Sequence, residues 1–375
     1  MIYLDYSATT PVNKDVLDSF NKVCLEFVGN ANSLHLLGTK SSELINSATN
    51  QIANILGVKF NEIIYTSGAS ESNNMAIKGI CDKYSNRGKH IVTTNFEHSS
   101  IYEPLNYLEK KGFVIDYVSS KDGIINLDEL ENLITDDTIL VSVCSVNSET
   151  GIKQPIEKIG KIVKNHPKCF FHVDMTQSIG KELIDFSNVD LASFSAHKFY
   201  GLKGIGCLIK KENIDIEPLI HGGKSTTSFR SGTPPLPLIV SMSKALRLAY
   251  EDIENKINHV KELNAYLINE LSKYDDVRIN SNNYSIPHIL NISILKSKPE
   301  TIQHNLEQYD IYISTKTACS KNTDSSRAVY ELTRDNERAS TSIRISLSHL
   351  TTIEECQKFI EAFDKCYNSR IIINS

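Results

Sequence analysis

Ser195-Ala196-His197-Lys198-Phe199-Tyr200-Gly201 follows directly on the apolar burst Leu191 to Phe194, and Asp174, twenty-four residues ahead of Lys198, closes the burst Cys169 to Val173. Each run is short, rich in Val, Ile, Leu or aromatics and bounded by polar turn residues, which is how a buried strand reads. The same rhythm extends outward on both sides. Further bursts lie at Glu62 to Thr66, His90 to Thr94, Val114 to Val118, Ile139 to Val143 and Gly206 to Ile209. Helical patterns such as Ser41 to Leu56 and Glu157 to Asn165 separate them. Strands alternating with amphipathic helices predict an α/β fold around a mostly parallel sheet.

From about Leu236 the rhythm changes to long helix, with Ile239, Met242, Ala245, Leu246 and Ala249 at helical spacing, and the pattern continues from Ile257 to Leu271. A second, smaller lobe follows, with strand-like runs at Ile289 to Ile294, Ile311 to Ser314 and Ser342 to Leu347 and a closing helix at Ile353 to Cys366. The tail Ile371-Ile372-Ile373 is apolar enough to dock on the body or on a partner. With 375 residues, 40% hydrophobic and 23% charged, the chain is long enough for two lobes and a sizeable core and is too apolar for disorder. A net charge of −5 argues against direct nucleic-acid binding. No stretch reaches the roughly eighteen apolar residues of a membrane span, and the N-terminus lacks a basic flank with an apolar core, so a cytoplasmic location is expected. The eight cysteines form no C-x-x-C pair and no His/Cys cluster at zinc spacing. They read as reduced thiols, with no metal site.

An amine in a turn at a strand end, with a carboxylate at the end of an earlier buried strand, is the arrangement that holds pyridoxal phosphate. The lysine forms the Schiff base and the aspartate keeps the pyridine nitrogen protonated. The stretch Thr66-Ser67-Gly68-Ala69-Ser70-Glu71-Ser72-Asn73-Asn74 follows a strand and precedes the helical Met75 to Cys81. A small-residue turn opening a helix suits a phosphate, because its N–H groups and the positive end of the helix dipole face outward. An ordinary N-capped helix is the alternative on this segment alone, and Lys198 with Asp174 favours the phosphate.

These motifs, together with Tyr3 to Pro11, Gly29 to His35, Glu97-His98, Val146 to Gly151, His172 to Gln177, Ser195 to Gly206, Arg230 to Thr233, Ala318-Cys319-Ser320 and Ser342 to Ser346, resemble the cysteine desulfurases of the NifS/IscS type. Those are class V aminotransferases of the fold-type I pyridoxal-phosphate enzymes, and the likeness covers nearly the whole chain. It implies a large domain (14-255) with a mostly parallel seven-stranded sheet flanked by helices. A smaller α+β domain (1-13 and 256-375) would carry the catalytic cysteine loop at about 314-328.

The resemblance also implies roles. Lys198 would bear the cofactor and then move the substrate's Cα proton, Asp174 would hold the ring nitrogen, and Gln177 would hydrogen-bond the phenolic oxygen. His98 would stack on the ring and manage the substrate thiol proton. Ala69, Ser70, Ser195 and His197 would hold the phosphate, with Thr233 reaching the phosphate of the other subunit of a homodimer. Asn147, a cofactor and substrate contact, and Arg344 would grip the carboxylate of L-cysteine, Arg344 through a two-pronged contact that a lysine cannot reproduce. From its own neighbours, Ile343 and Ile345, Arg344 reads as pointing to solvent.

Cys319 sits in a small, polar stretch without apolar periodicity, so it reads as an exposed thiol on a mobile loop, flanked by Lys316 and Lys321. A mobile thiolate can take sulfur from L-cysteine as a persulfide, leave alanine, and deliver the sulfur to an acceptor protein for iron–sulfur cluster assembly or for tRNA or cofactor thiolation. Cys169 and Cys207 read as packing residues, and Cys144, close to Asn147, is left open. The chain departs from the family pattern in Lys224-Ser225-Thr226-Thr227-Ser228-Phe229, which leaves that segment's conformation open, and in Lys316, which stands where a loop glycine is usual. A selenocysteine lyase or aminotransferase of the same fold is the alternative. One of another class is a cofactor-binding platform for sulfur-transfer partners with little turnover.

Overall fold

The computed structural model describes residues 1–223, 225–315 and 325–374. Its main sheet has seven strands in the order Ile63–Thr66, Gly206–Lys210, Leu191–Ser195, Phe170–Asp174, Thr138–Cys144, His90–Thr94, Val114–Val118. Gly206–Lys210 runs antiparallel to both of its neighbours, and every other pairing is parallel. All seven bursts named above are strands of this sheet, shifted by a residue or so at their ends.

Their nearly continuous hydrophobicity follows from burial on both faces. Alternate side chains divide between two cores: Val141, Val143, Phe171, Val173 and Phe194 face one. Ile91, Leu140, Leu191 and Leu208 face the other, beneath the helices Ala69–Tyr84 and Ser99–Glu109. Each such side chain contributes about 1.5–3 kcal/mol on removal from water.

A separate apolar cluster joins Ile2 and Leu4 to Val260, Leu267, Ile292, Ile345, Phe359 and Phe363. It lies around an antiparallel sheet of Val277–Ile279, Ile289–Ile294 and Ser342–Ser346, packed on the helices Ile253–Leu271 and Ile353–Asn374. The last helix runs past Cys366 and takes in residues 371–373, so the apolar tail is its final turn. The N-terminal strand Ile2–Tyr3 pairs in parallel with Ile311–Tyr312, which stitches the chain's beginning into this cluster. Among the described residues no helix is long and apolar enough to cross a membrane.

Candidate active site

Register decides which loops meet. Cys144 pairs with Asp174 and Asp174 with Ser193, so these parallel strands end side by side. Across the antiparallel strand, Thr66 pairs with Gly206 and Gly206 with Ser195. That brings the turn after Thr66 onto the turn after Ser195. A Cβ on Gly206 would lie 2.6 Å from the Gly68 Cα, so only glycine admits this approach.

The loops enclose a cavity lined by Ala69, Ser70, His98, Asp174, Gln177, Ser195, His197, Lys198 and Arg344, with Ser7, Ala8, Phe96 and Cys144 among its other walls. Lys198 ends the short turn Ala196–Lys198 that follows its strand, and its Nζ donates to the Ser7 carbonyl at 2.6 Å and the Ala8 carbonyl at 2.9 Å. Asp174 is buried, with Oδ1 accepting from the Thr176 N–H and Oδ2 from Asn73 Nδ2. The Gln177 amide donates to Ser7 O and accepts from Lys181 Nζ at 2.8 Å. Lys181 is only 7% exposed. Burial, helped by the nearby Lys198 and Arg344 cations, draws its pKa down to about 7.

At the other end, Gly68 precedes the helix Ala69–Tyr84 at φ 156°, and no side chain caps it. The Ala69 N–H instead donates to Ser195 Oγ at 2.6 Å, with Ser70 beside it in the wall. The capped-helix alternative therefore lacks its cap, and the first turn opens into the cavity as an anion site requires. His197 Nδ1 meets Thr9 Oγ1 at 3.1 Å, and burial next to Lys198 holds its pKa down to about 4, so the ring is neutral. His98 caps the helix Ser99–Glu109, and burial lowers its pKa as well.

Arg344 overturns the solvent-facing default. It is 2% exposed, because on the face opposite Ile343 and Ile345 its guanidinium packs against Asp5 of the N-terminal segment and the turn at Ser148. Its Nη1 donates to Ser148 O and its Nη2 to Asp5 Oδ1 at 2.7 Å, while buried Nε has no partner. Asn147 is not in the wall. Its Nδ2 donates to Phe96 O, and its Oδ1 accepts from the Glu149 and Thr150 N–H groups. It thus shapes the turn that presents Val146 and Ser148. Thr233 is exposed and outside the cavity. Cys319, Lys316, Lys321 and Lys224 lie outside the described residues.

Contacts at Phe229, the last residue of the divergent segment, and at Arg230, just after it, anchor the segment's C-terminal end. The Phe229 ring lies under Lys210 Nζ, 4.3 Å from the ring centroid, and Arg230 Nε pairs with Glu71 at 3.0 Å. Cys144 lines the cavity, but burial, reinforced by Glu97 and Asp174, pushes its thiol well up, so it stands neutral. Cys169 and Cys207 are buried and likewise raised. The roles of Asp5, Asn73, Ser100 and Lys181 escaped the sequence reading. Asp5 and Asn73 lie inside matched motifs, but nothing in their spacing shows that they hold Arg344 and Asp174.

The donors fit pyridoxal phosphate. An open helix N-terminus suits the phosphate, a fixed carboxylate suits the ring nitrogen, and one amine lies in the same cavity. The aminotransferase class-V family model matches residues 2–359. Cysteine desulfurase IscS of Buchnera aphidicola is 43% identical over 364 residues, spanning 94% of this chain and 89% of its own. A solved NifS-like protein superimposes with a TM-score of 0.93 at 35% identity, covering 98% of this chain and 99% of that one. SspA, solved in complex with cysteine, gives 0.83 at 31% identity over 94% and 100%. With the family model matched over residues 2–359 and relatives aligned along nearly its whole length, the chain belongs to the class-V aminotransferase family, among the cysteine desulfurases of the NifS/IscS type.

Proposed function

We propose that this enzyme converts L-cysteine to L-alanine and moves the sulfur to the Cys319 thiol. The observation that carries the reading is the convergence of Lys198, Asp174 and Arg344, from three separate segments, on one cavity. When bound to Lys198, pyridoxal phosphate would serve as the electron sink for the carbanion at the substrate's Cα. Ala69, Ser70, Ser195 and His197 would hold its phosphate, Asp174 its ring nitrogen and Gln177 its phenolic oxygen. Arg344 fixes the substrate carboxylate with a planar guanidinium that Asp5 and Ser148 already orient. That leaves the substrate's sulfur directed away from Arg344. The Lys198 amine carries the Cα proton, and His98 serves the sulfur end.

Cys319 then bonds to the substrate sulfur as the carbon–sulfur bond breaks. Cysteine and one thiol become alanine and one persulfide, with no proton or electron left over. A sulfur-acceptor protein takes the product. Thr233 lies outside its own cavity, and Leu25, Val28, Leu34, Leu36 and Leu37 are exposed on and between the helices Lys14–Glu26 and Leu36–Leu56. Both features support a homodimer in which Thr233 serves the partner's phosphate. The separate cluster around Leu4, Leu290 and Phe363 supports a division into 14-255 against 1-13 with 256-375.

Alanine and sulfide are measured from purified protein given pyridoxal phosphate, L-cysteine and a reducing thiol, for wild type and Cys319→Ala. Equal yields of both products that are lost in the variant support the reaction. Absence of alanine from wild type that has taken up the cofactor refutes it.

A further inference from the structure

Between Asp174 and His98 runs a buried polar chain that the reaction above does not use. Asn73, fully buried on the helix Ala69–Tyr84, sets Nδ2 2.8 Å from Asp174 Oδ2 and 2.9 Å from Ser100 Oγ. Its Oδ1 meets no donor. Turning the amide round would face its oxygen to the carboxylate, so the nitrogen assignment stands on chemistry. Both Nδ2 hydrogens are thus committed, and the Ser100 hydroxyl accepts one of them. Its own hydrogen is left for His98 Nδ1, 2.9 Å away. The Ser100 backbone N–H also points at His98 Nδ1, at 3.1 Å. A backbone N–H can only donate, so Nδ1 must be the lone-pair nitrogen and the ring proton of neutral His98 sits on Nε2.

We infer that Asn73 and Ser100 are positioning residues that hold His98 as the Nε2–H tautomer, so that its ring offers the cavity a hydrogen-bond donor and not a base. The meaning of this for the reaction rests on the function proposed above; the tautomer itself does not. Nε2 already carries its proton and has no lone pair with which to take one from the thiol. Taking that proton on Nδ1 would break both contacts from Ser100. A neutral imidazole in this state instead stabilises negative charge as it develops, a known use of a histidine with lowered pKa. Burial acts in the same sense, outweighing the attraction of Asp174 and keeping the ring uncharged. It follows that the substrate's thiol proton leaves by a group other than His98.

The test is two-dimensional ¹H–¹⁵N spectroscopy of cofactor-free protein labelled at histidine nitrogens, with His98 identified by the signals that vanish in His98→Gln. Near neutral pH, Nδ1 is expected unprotonated and Nε2 protonated. Ser100→Ala is expected to shift the tautomer ratio roughly five- to tenfold toward Nδ1–H, the effect of one lost hydrogen bond. Asn73→Ala should shift it in the same direction. If that variant fails to fold, Ser100→Ala decides alone. An Nδ1–H or charged His98 in wild type overturns the inference, as does a ratio unmoved by Ser100→Ala. The alanine assay separates the two readings. The tautomer without alanine refutes the reaction only, and alanine without the tautomer refutes the inference only.

Discussion

Lys181 is the most exacting test of the site's electrostatics. Its ammonium is buried against the neutral Gln177 amide and faces the Lys198 and Arg344 cations, which together with burial draw its pKa from 10.5 to about 7. In the unfolded chain the same amine stays protonated to about 10.4. Between these values the unfolded state binds more protons, so the group lowers stability most below pH 7, and stability rises with pH through the window. At 1.36 kcal/mol per pH unit the full penalty is about 4–5 kcal/mol, falling to about 2 kcal/mol at pH 9.

Lys181→Met keeps the volume and removes the charge. Losing the bond to Gln177 costs about 1–3 kcal/mol, but that cost is independent of pH. The stability difference between variant and wild type should therefore move by about 2–3 kcal/mol between pH 7 and pH 9, with the variant's relative advantage shrinking as pH rises. Urea unfolding of cofactor-free protein at several pH values, followed by tyrosine fluorescence since the chain has no tryptophan, measures it. A difference constant across that range refutes the claim that Lys181 is a desolvated amine.

Two further outcomes follow from residues in and beside the cavity. Arg344→Lys loses the planar fork, and with it about 1.5–3 kcal/mol of substrate carboxylate binding, so kcat/KM should fall roughly 10- to 100-fold, mainly through KM, in steady-state alanine release. Glu97, with Oε1 bound by Thr94 Oγ1 and the Cys144 N–H and Oε2 unpartnered, has its pKa raised to about 8 by burial. It therefore binds a proton that the unfolded state lacks between about pH 4.5 and 8, and its contribution to stability falls across that interval. Glu97→Gln should remove this slope, read as the pH dependence of its urea midpoint relative to wild type.

Much of this was legible in the chain. Short runs bounded by polar turns mark the seven strands, because a strand buried on both faces needs apolar residues at nearly every position. Lys198, Asp174 and the turn Gly68-Ala69-Ser70 could be named because local chemistry marks them at the ends of apolar runs, where a sheet delivers its loops, whereas His98, Gln177, Ser195 and His197 were named through the family resemblance. Arg344 could not be oriented this way. Its alternation with Ile343 and Ile345 says only that it faces away from them, and what holds it there comes from Asp5 and Ser148, 339 and 196 positions earlier.

The sequence by itself determined the α/β rhythm, the candidate cofactor lysine and aspartate, and the family, since these depend on periodicity and on short contiguous motifs. Tertiary structure decided the strand order, the burial of Arg344 on Asp5, the withdrawal of Asn147 into its turn, the uncapped helix facing the cavity, and the Asp174, Asn73, Ser100 and His98 chain. The reason is physical. Register and hydrogen-bond direction arise between segments far apart in the chain, and desolvation, which sets the states of Lys181, Glu97 and Cys144, exists only once those segments have closed over them.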